Sequence, residues 1–127
     1  GGDPSSAAAN TLVVVPAMLH AMSDHAREDD RCPTEFPHAR LVLVGGQSIG
    51  SGRLCERTRR LFPRARIVQT YACTEAGSSI TFEDLGRNDD RRSMKTSQMD
   101  VPGGATCVGR PPPHIELGIF DVNNCPP

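Results

Sequence analysis

Three short β-branched runs punctuate the first half of the chain, at residues 11–15, 41–44 and 67–70. The first two are continuously apolar rather than alternating, the pattern of strands buried on both faces of a parallel sheet. Between them, Pro16 opens a segment with Leu19, Met22 and Ala26 spaced by three and four, which predicts a helix with one apolar face. That helix should fray in the charged stretch 27–31 and end before Pro33. A second helix is expected where Leu54, Cys55, Thr58, Leu61 and Phe62 share a face, with Ser51 placed to cap it and Pro63 to stop it. The order strand, helix, strand, helix, strand makes two βαβ units. Their connections, 16–40 and 45–66, are longer than the ~12 residues a crossover needs.

Right-handed crossovers make the three strands parallel and gather the turns that leave them at one edge of the sheet. Those turns are 16–20, 45–51 and 71–79. The carboxyl edge of an open α/β sheet is where ligands bind. Beyond Phe82 the character changes. Residues 83–107 are polar, with a charge cluster at 87–92 and the turn signal Pro102-Gly103-Gly104, which predicts a surface loop. Residues 114–120 alternate, with Ile115, Leu117 and Ile119 on one side, so an antiparallel strand is expected and the sheet type should switch near Gly109. The expected fold is therefore α/β: a parallel βαβαβ part over 11–82, a polar loop over 83–107, and the start of an antiparallel β segment over 108–120.

Composition narrows the function classes. At 127 residues there is room for one compact domain, and 37% hydrophobic residues are enough to build its core. The longest apolar stretch, 12–19, contains Pro16 and is too short to span a bilayer. A formal net charge of −1 argues against a nucleic-acid partner. Locally, residues 53–66 hold six arginines and one glutamate, but no aromatics interleave to stack on bases, so a solvated helix face is the simpler reading. Five cysteines without a C-x-x-C pair point to reduced thiols in an intracellular protein. Cys32 and His38 lack the other two ligands that a zinc site needs. The chain opens Gly1-Gly2-Asp3-Pro4 without an initiator Met, and 1–127 is expected to be an interior piece of a longer protein.

The unusual chemistry lies in the turns. Gly45-Gly46-Gln47-Ser48-Ile49-Gly50-Ser51-Gly52 follows a strand and leads into a helix, where glycine permits close ligand approach and the helix start favours negative charge. It fits neither G-x-G-x-x-G nor the Walker pattern, and a tight turn without a ligand explains it equally well. In residues 71–79, Tyr71, Thr74 and Glu75 set a ring, a hydroxyl and a carboxylate within five positions, which suits a purine, a phosphate oxygen and a divalent cation. A capped turn, with Thr74 as cap, is the plainer alternative. Cys73 with His20 as base would make a nucleophile, but no third group orients the pair and a buried thiol is the simpler outcome.

Tyr71-Ala72-Cys73-Thr74-Glu75 resembles the Tyr-Gly-x-Thr-Glu motif of the adenylate-forming superfamily, which includes acyl-CoA synthetases, luciferases and peptide-synthetase adenylation domains. Gly45-Gly46-Gln47 is similar to the superfamily's upstream Gly-Gly loop, and Val108-Gly109-Arg110-Pro111 to its downstream Val-Gly-Lys/Arg-Pro step. Order and spacing agree over essentially the whole chain. Residues 76–82 and 112–117 are most similar to plant and algal 2-succinylbenzoate–CoA ligases, enzymes of phylloquinone synthesis.

The resemblance implies part of an AMP-binding N-terminal domain and a two-step reaction. A carboxylic acid attacks the α-phosphate of ATP to give an acyl-adenylate and pyrophosphate, and the thiolate of CoA then displaces AMP. By the same resemblance Gly45, Gly46 and Gln47 flank the adenine and acyl pocket, Tyr71 and Ala72 pack on the adenine, Thr74 bonds the α-phosphate and Glu75 holds Mg²⁺. Gly77 and Ser78 line the acyl pocket, with His20 nearby. A plastid or peroxisomal location would fit the same relatives. Ala72 departs from the usual Gly, at about 1 kcal/mol if the position needs a positive φ. The superfamily's phosphate loop, Thr-Gly-Asp motif and catalytic lysine are not matched; Lys95, the sole lysine, sits in the polar loop. The isolated chain is therefore expected not to turn over ATP. The rival reading is a non-catalytic, flavodoxin-like binding module that docks through the basic helix 53–64.

Overall fold

The computed structural model describes residues 9–28, 35–49, 52–87 and 107–123. Four strands form one sheet in the order β1-β2-β3-β4: β1 (Thr11–Val14), β2 (Leu41–Val44), β3 (Arg66–Ala72) and β4 (Ser79–Gly86). Helix α1 (Pro16–Glu28) joins β1 to β2, and α2 (Arg53–Leu61) joins β2 to β3. β1, β2 and β3 are parallel, so the expected βαβαβ core is present. Their register sets Val14 level with Val44, and Val44 level with Gln69.

Alternation along the strands sends Val14, Val42, Val44 and Ile67 into a core with Leu19 of α1, Cys55 and Leu61 of α2, and Phe62. Each large side chain so buried contributes ~1.5–3 kcal/mol relative to exposure. Phe62 is sealed by Phe36, whose ring stacks on it at 5.4 Å between centroids. The helices touch each other and share that core, and Val13, on the alternate side of β1, stays 73% exposed. Thr58 is fully buried and satisfies its hydroxyl by donating to the Leu54 carbonyl at 2.7 Å.

Three local expectations are corrected. First, the sheet changes type at the turn before Ser79, not near Gly109: β4 runs antiparallel to β3 and continues to Gly86, through the first residues of the expected polar loop. Glu83 and Asp84 look like loop residues, yet an edge strand tolerates outward charges, and Asp84 pairs with Arg66 of β3 at 3.3 Å. Second, residues 114–120 form no strand. In 107–123 the only β contact with the described residues is an isolated bridge from Arg110 to Phe82, and Ile115, Leu117 and Ile119 are exposed. Third, α2 is capped by Gly52, with no side-chain cap bond. Ser51 and most of the polar loop, Lys95 and the 102–104 turn included, lie outside the described residues.

Candidate functional site

The parallel pairing of β1, β2 and β3 sends their carboxyl ends to one edge of the sheet, so the three following turns leave from that edge. β3 outruns β2, so Thr70, Tyr71 and Ala72 stand beside the turn that leaves Val44. That turn is packed tightly. The Gly45 N–H donates to the Val14 carbonyl at 3.0 Å, and a Cβ on Gly45 would stand 3.2 Å from Thr70 Oγ1. Gly46 adopts φ +90, and a Cβ there would meet Val15 Cγ1 at 3.6 Å. Gly45 is thus held close against Thr70, whereas Gly46 has room for a side chain but adopts a backbone conformation that favours glycine.

Tyr71 closes the exposed end of β3 with its side chain 47% accessible. Beyond it Thr74–Ala76 form one turn of 3-10 helix, closed by the Gly77 N–H donating to the Thr74 carbonyl at 3.0 Å. The N-cap of this turn is Cys73, so Thr74 is not the capping residue and its hydroxyl remains on the surface. Glu75 is exposed and makes no ion pair among the described residues. Ala72 lies in β3 without a positive φ, so its departure from glycine brings no backbone strain. Gly77 and Ser78 are exposed in the reversal into β4. His20 sits on α1, exposed, with no hydrogen bond to the other candidates among the described residues. The Cys73–His20 nucleophile pair is therefore not assembled.

One residue at this rim escaped the motif search. Gln69, on the core-facing side of β3 and 4% exposed, accepts hydrogen bonds through Oε1 from Ser48 Oγ at 3.1 Å and from the Ile49 N–H at 3.0 Å. Its Nε2 donates to the Cys107 carbonyl at 3.4 Å. A glutamine where the pattern of β3 calls for an apolar residue was the available signal, because a buried amide must find partners. Nearby, Thr81 Oγ1 donates to the Val108 carbonyl, and Phe82 and Arg110 exchange backbone hydrogen bonds at 3.0 and 3.1 Å. The segment carrying Val108-Gly109-Arg110-Pro111 is thereby fastened to the edge of β4.

The exposed Thr74 hydroxyl and Glu75 carboxylate are the groups of this turn that could meet a phosphate oxygen or a cation. No group of three or more His, Cys, Asp or Glu is assembled among the described residues. One carboxylate could serve Mg²⁺, which takes one or two carboxylates and completes its shell with phosphate oxygens and water. A separate groove of about 690 Å³ lies between α1 and α2, lined by Arg27, Arg53, Arg57 and Arg60 among others, and includes no residue of the three turns. Arg57, in that groove, pairs with Asp24 at 3.6 Å, while Arg59 lies outside it and donates to the Leu85 carbonyl of β4.

The four-stranded sheet, parallel but for β4, matches the N-terminal domain of adenylate-forming enzymes. The chain belongs to the AMP-binding enzyme family, whose model matches residues 6–127. It is 39% identical over 110 residues to the chloroplastic/peroxisomal 2-succinylbenzoate–CoA ligase of Arabidopsis thaliana, an alignment covering 85% of this chain and 19% of that protein. Among solved structures, VinN superimposes with a TM-score of 0.65 at 20% identity, covering 93% of this chain and 26% of that one. The unliganded O-succinylbenzoate coenzyme A synthetase (MenE) of Bacillus subtilis gives 0.55 at 26% identity, covering 93% of this chain and 20% of that one. The chain thus spans about a fifth of the ligase relatives' length. Family membership decides between the two readings the sequence left open, in favour of an AMP-binding enzyme over a flavodoxin-like module. Among the described residues no helix is long and apolar enough to cross a membrane.

Proposed function

We propose that the chain is the central part of the N-terminal domain of an ATP-dependent acid–CoA ligase acting on 2-succinylbenzoate, in the synthesis of phylloquinone or menaquinone. The observation that carries this reading is the rim itself, where the Gly45–Gly46 turn adjoins the end of β3 that leads to the exposed Thr74 and Glu75. Identity to the plant ligase supports the choice of acid, and the name of that relative makes a plastid or peroxisome the expected location.

In this reading Tyr71 offers its ring to the adenine and Ala72 the adjoining floor. Gly45, Gly46 and Gln47 border the nucleotide and acyl group. The Thr74 hydroxyl donates to an α-phosphate oxygen, and Glu75 holds Mg²⁺. The metal, when bound, offsets negative charge on the phosphates as the acid's carboxylate attacks phosphorus and pyrophosphate departs. Gly77 and Ser78 border the acyl group from the reversal into β4, where the Ser78 hydroxyl would meet a second carboxylate; His20 is the outermost candidate for that pocket. CoA then takes the acyl group as a thioester and releases AMP. The isolated chain is expected to be inactive, since the phosphate loop and the lysine of the family have no match in it.

ATP–pyrophosphate exchange in the complete enzyme tests this proposal. With 2-succinylbenzoate present, Glu75→Ala should lower exchange by ~100-fold, about 2.7 kcal/mol of transition-state stabilisation. Because Glu75 is exposed, its unfolding midpoint should correspond to a change within ~0.5 kcal/mol. Undiminished exchange in Glu75→Ala refutes the metal role, and exchange driven by other acids but not by 2-succinylbenzoate refutes the substrate.

A further inference from the structure

We infer that Gln69 is a positioning residue for the nucleotide, acting as a clamp that fixes the Gly45–Ile49 turn against β3. The inference rests on the proposed function and adds a residue to it. Gln69 is 4% exposed, and both bonds to its oxygen and the one bond from its nitrogen are made to the protein itself. Its oxygen takes two donors from one turn, Ser48 Oγ and the Ile49 N–H, and its nitrogen reaches the Cys107 carbonyl. It therefore links three chain segments that are far apart in sequence. The first carries the paired glycines, the second leads into Tyr71-Ala72-Cys73-Thr74-Glu75, and the third precedes Gly109-Arg110-Pro111.

Gly46, Gln47 and Ser48 are exposed, and the turn is held at its first end by the Gly45 N–H on the Val14 carbonyl. At its second end the buried Ile49 side chain joins the core, while Ser48 Oγ and the Ile49 N–H both bond Gln69. Removing the amide takes away both of those bonds, which loosens the backbone that sets Gly46 and Gln47 beside Thr70 and Tyr71. A turn that must be ordered by the ligand weakens binding of that ligand while leaving the reacting groups on Thr74 and Glu75 in place.

The test uses the complete enzyme and the near-isosteric variant Gln69→Met, with Ser48→Ala as a milder second variant at an exposed position. Hydrogen exchange without ligand reads the clamp directly: the Ile49 amide should exchange about tenfold or more faster in Gln69→Met, as expected when a hydrogen bond is lost. In ATP–pyrophosphate exchange, Gln69→Met should raise KM for ATP by about tenfold with kcat changed less than about threefold, and Ser48→Ala should raise it by about twofold to threefold. Lower kcat with KM for ATP unchanged, the signature of a smaller folded fraction, overturns the inference, as does an unchanged Ile49 exchange rate. If Gln69→Met does not fold, an unchanged KM for ATP in Ser48→Ala overturns it. Wild-type enzyme without any exchange activity overturns the proposed function beneath it, an outcome distinct from an active wild type that tolerates Gln69→Met.

Discussion

Gly109→Ala should be far more damaging than its place on the surface suggests. Gly109 has φ +84, and a Cβ built on it would fall on the Phe82 carbonyl, which is backbone and cannot swing aside. The left-handed conformation alone costs a residue with a side chain ~1–2 kcal/mol. Relieving the overlap means parting the segment from β4, which sacrifices the paired backbone bonds between Phe82 and Arg110 at about 0.5–1.5 kcal/mol each. The expected loss is therefore about 2–5 kcal/mol. Gly77→Ala provides the control, because Gly77 has φ +76 but open space where the Cβ would go. Its expected loss is the conformational part only, ~1–2 kcal/mol. Denaturant unfolding of both variants gives the difference, and amide exchange locates it: Phe82 and Arg110 should lose protection in Gly109→Ala and keep it in Gly77→Ala. Equal losses in the two variants, with the Phe82 amide still protected, would refute the close approach of the two backbones.

Two further substitutions probe the core and the motif. Phe62→Ala removes a ring that is 1% exposed and stacked on Phe36, so denaturant unfolding should show a loss of ~3–5 kcal/mol, and a loss under ~1 kcal/mol would show that this ring does not seal the core. Ala72→Gly restores the usual residue of the motif, yet no strain is present to relieve; the unfolding midpoint should fall by the equivalent of ~0.5–1 kcal/mol, and a rise would mean that Ala72 is held in an unfavourable conformation.

How much was legible from the residues alone follows the range of the interactions. The helices at Leu19–Met22–Ala26 and Leu54–Thr58–Leu61 were readable because their apolar spacing is local, and the parallel order of β1, β2 and β3 followed from crossover length. The rim of turns came with that order. β4 was missed because its pattern is not clean: register shifts against β3 fall at Ile67/Val68 and Tyr71/Ala72, and Glu83 and Asp84 read as loop. The opposite error occurred at 114–120, where good alternation predicts a strand but none of the described residues pairs with it. Gln69 was passed over because its importance comes from Ser48, Ile49 and Cys107, partners 20 to 38 positions distant that no local pattern reveals.

β3 hydrogen-bonds β2 in parallel on one side and β4 antiparallel on the other. A slip of one residue along this shared rail would invert its two faces, turning Gln69 outward and driving Thr70 into the apolar interior. Such a molecule would keep its helices and most of its backbone pairing, and by circular dichroism it would pass for native while being unable to seat a nucleotide. The irregular steps against β4 work as a ratchet against that error, since a displaced pairing no longer matches their offsets. Inserting a single residue within 67–71 is accordingly a harsher injury than inserting several into the turn before Ser79, and refolding yield measured by nucleotide binding rather than by helix content is the quantity that would register it.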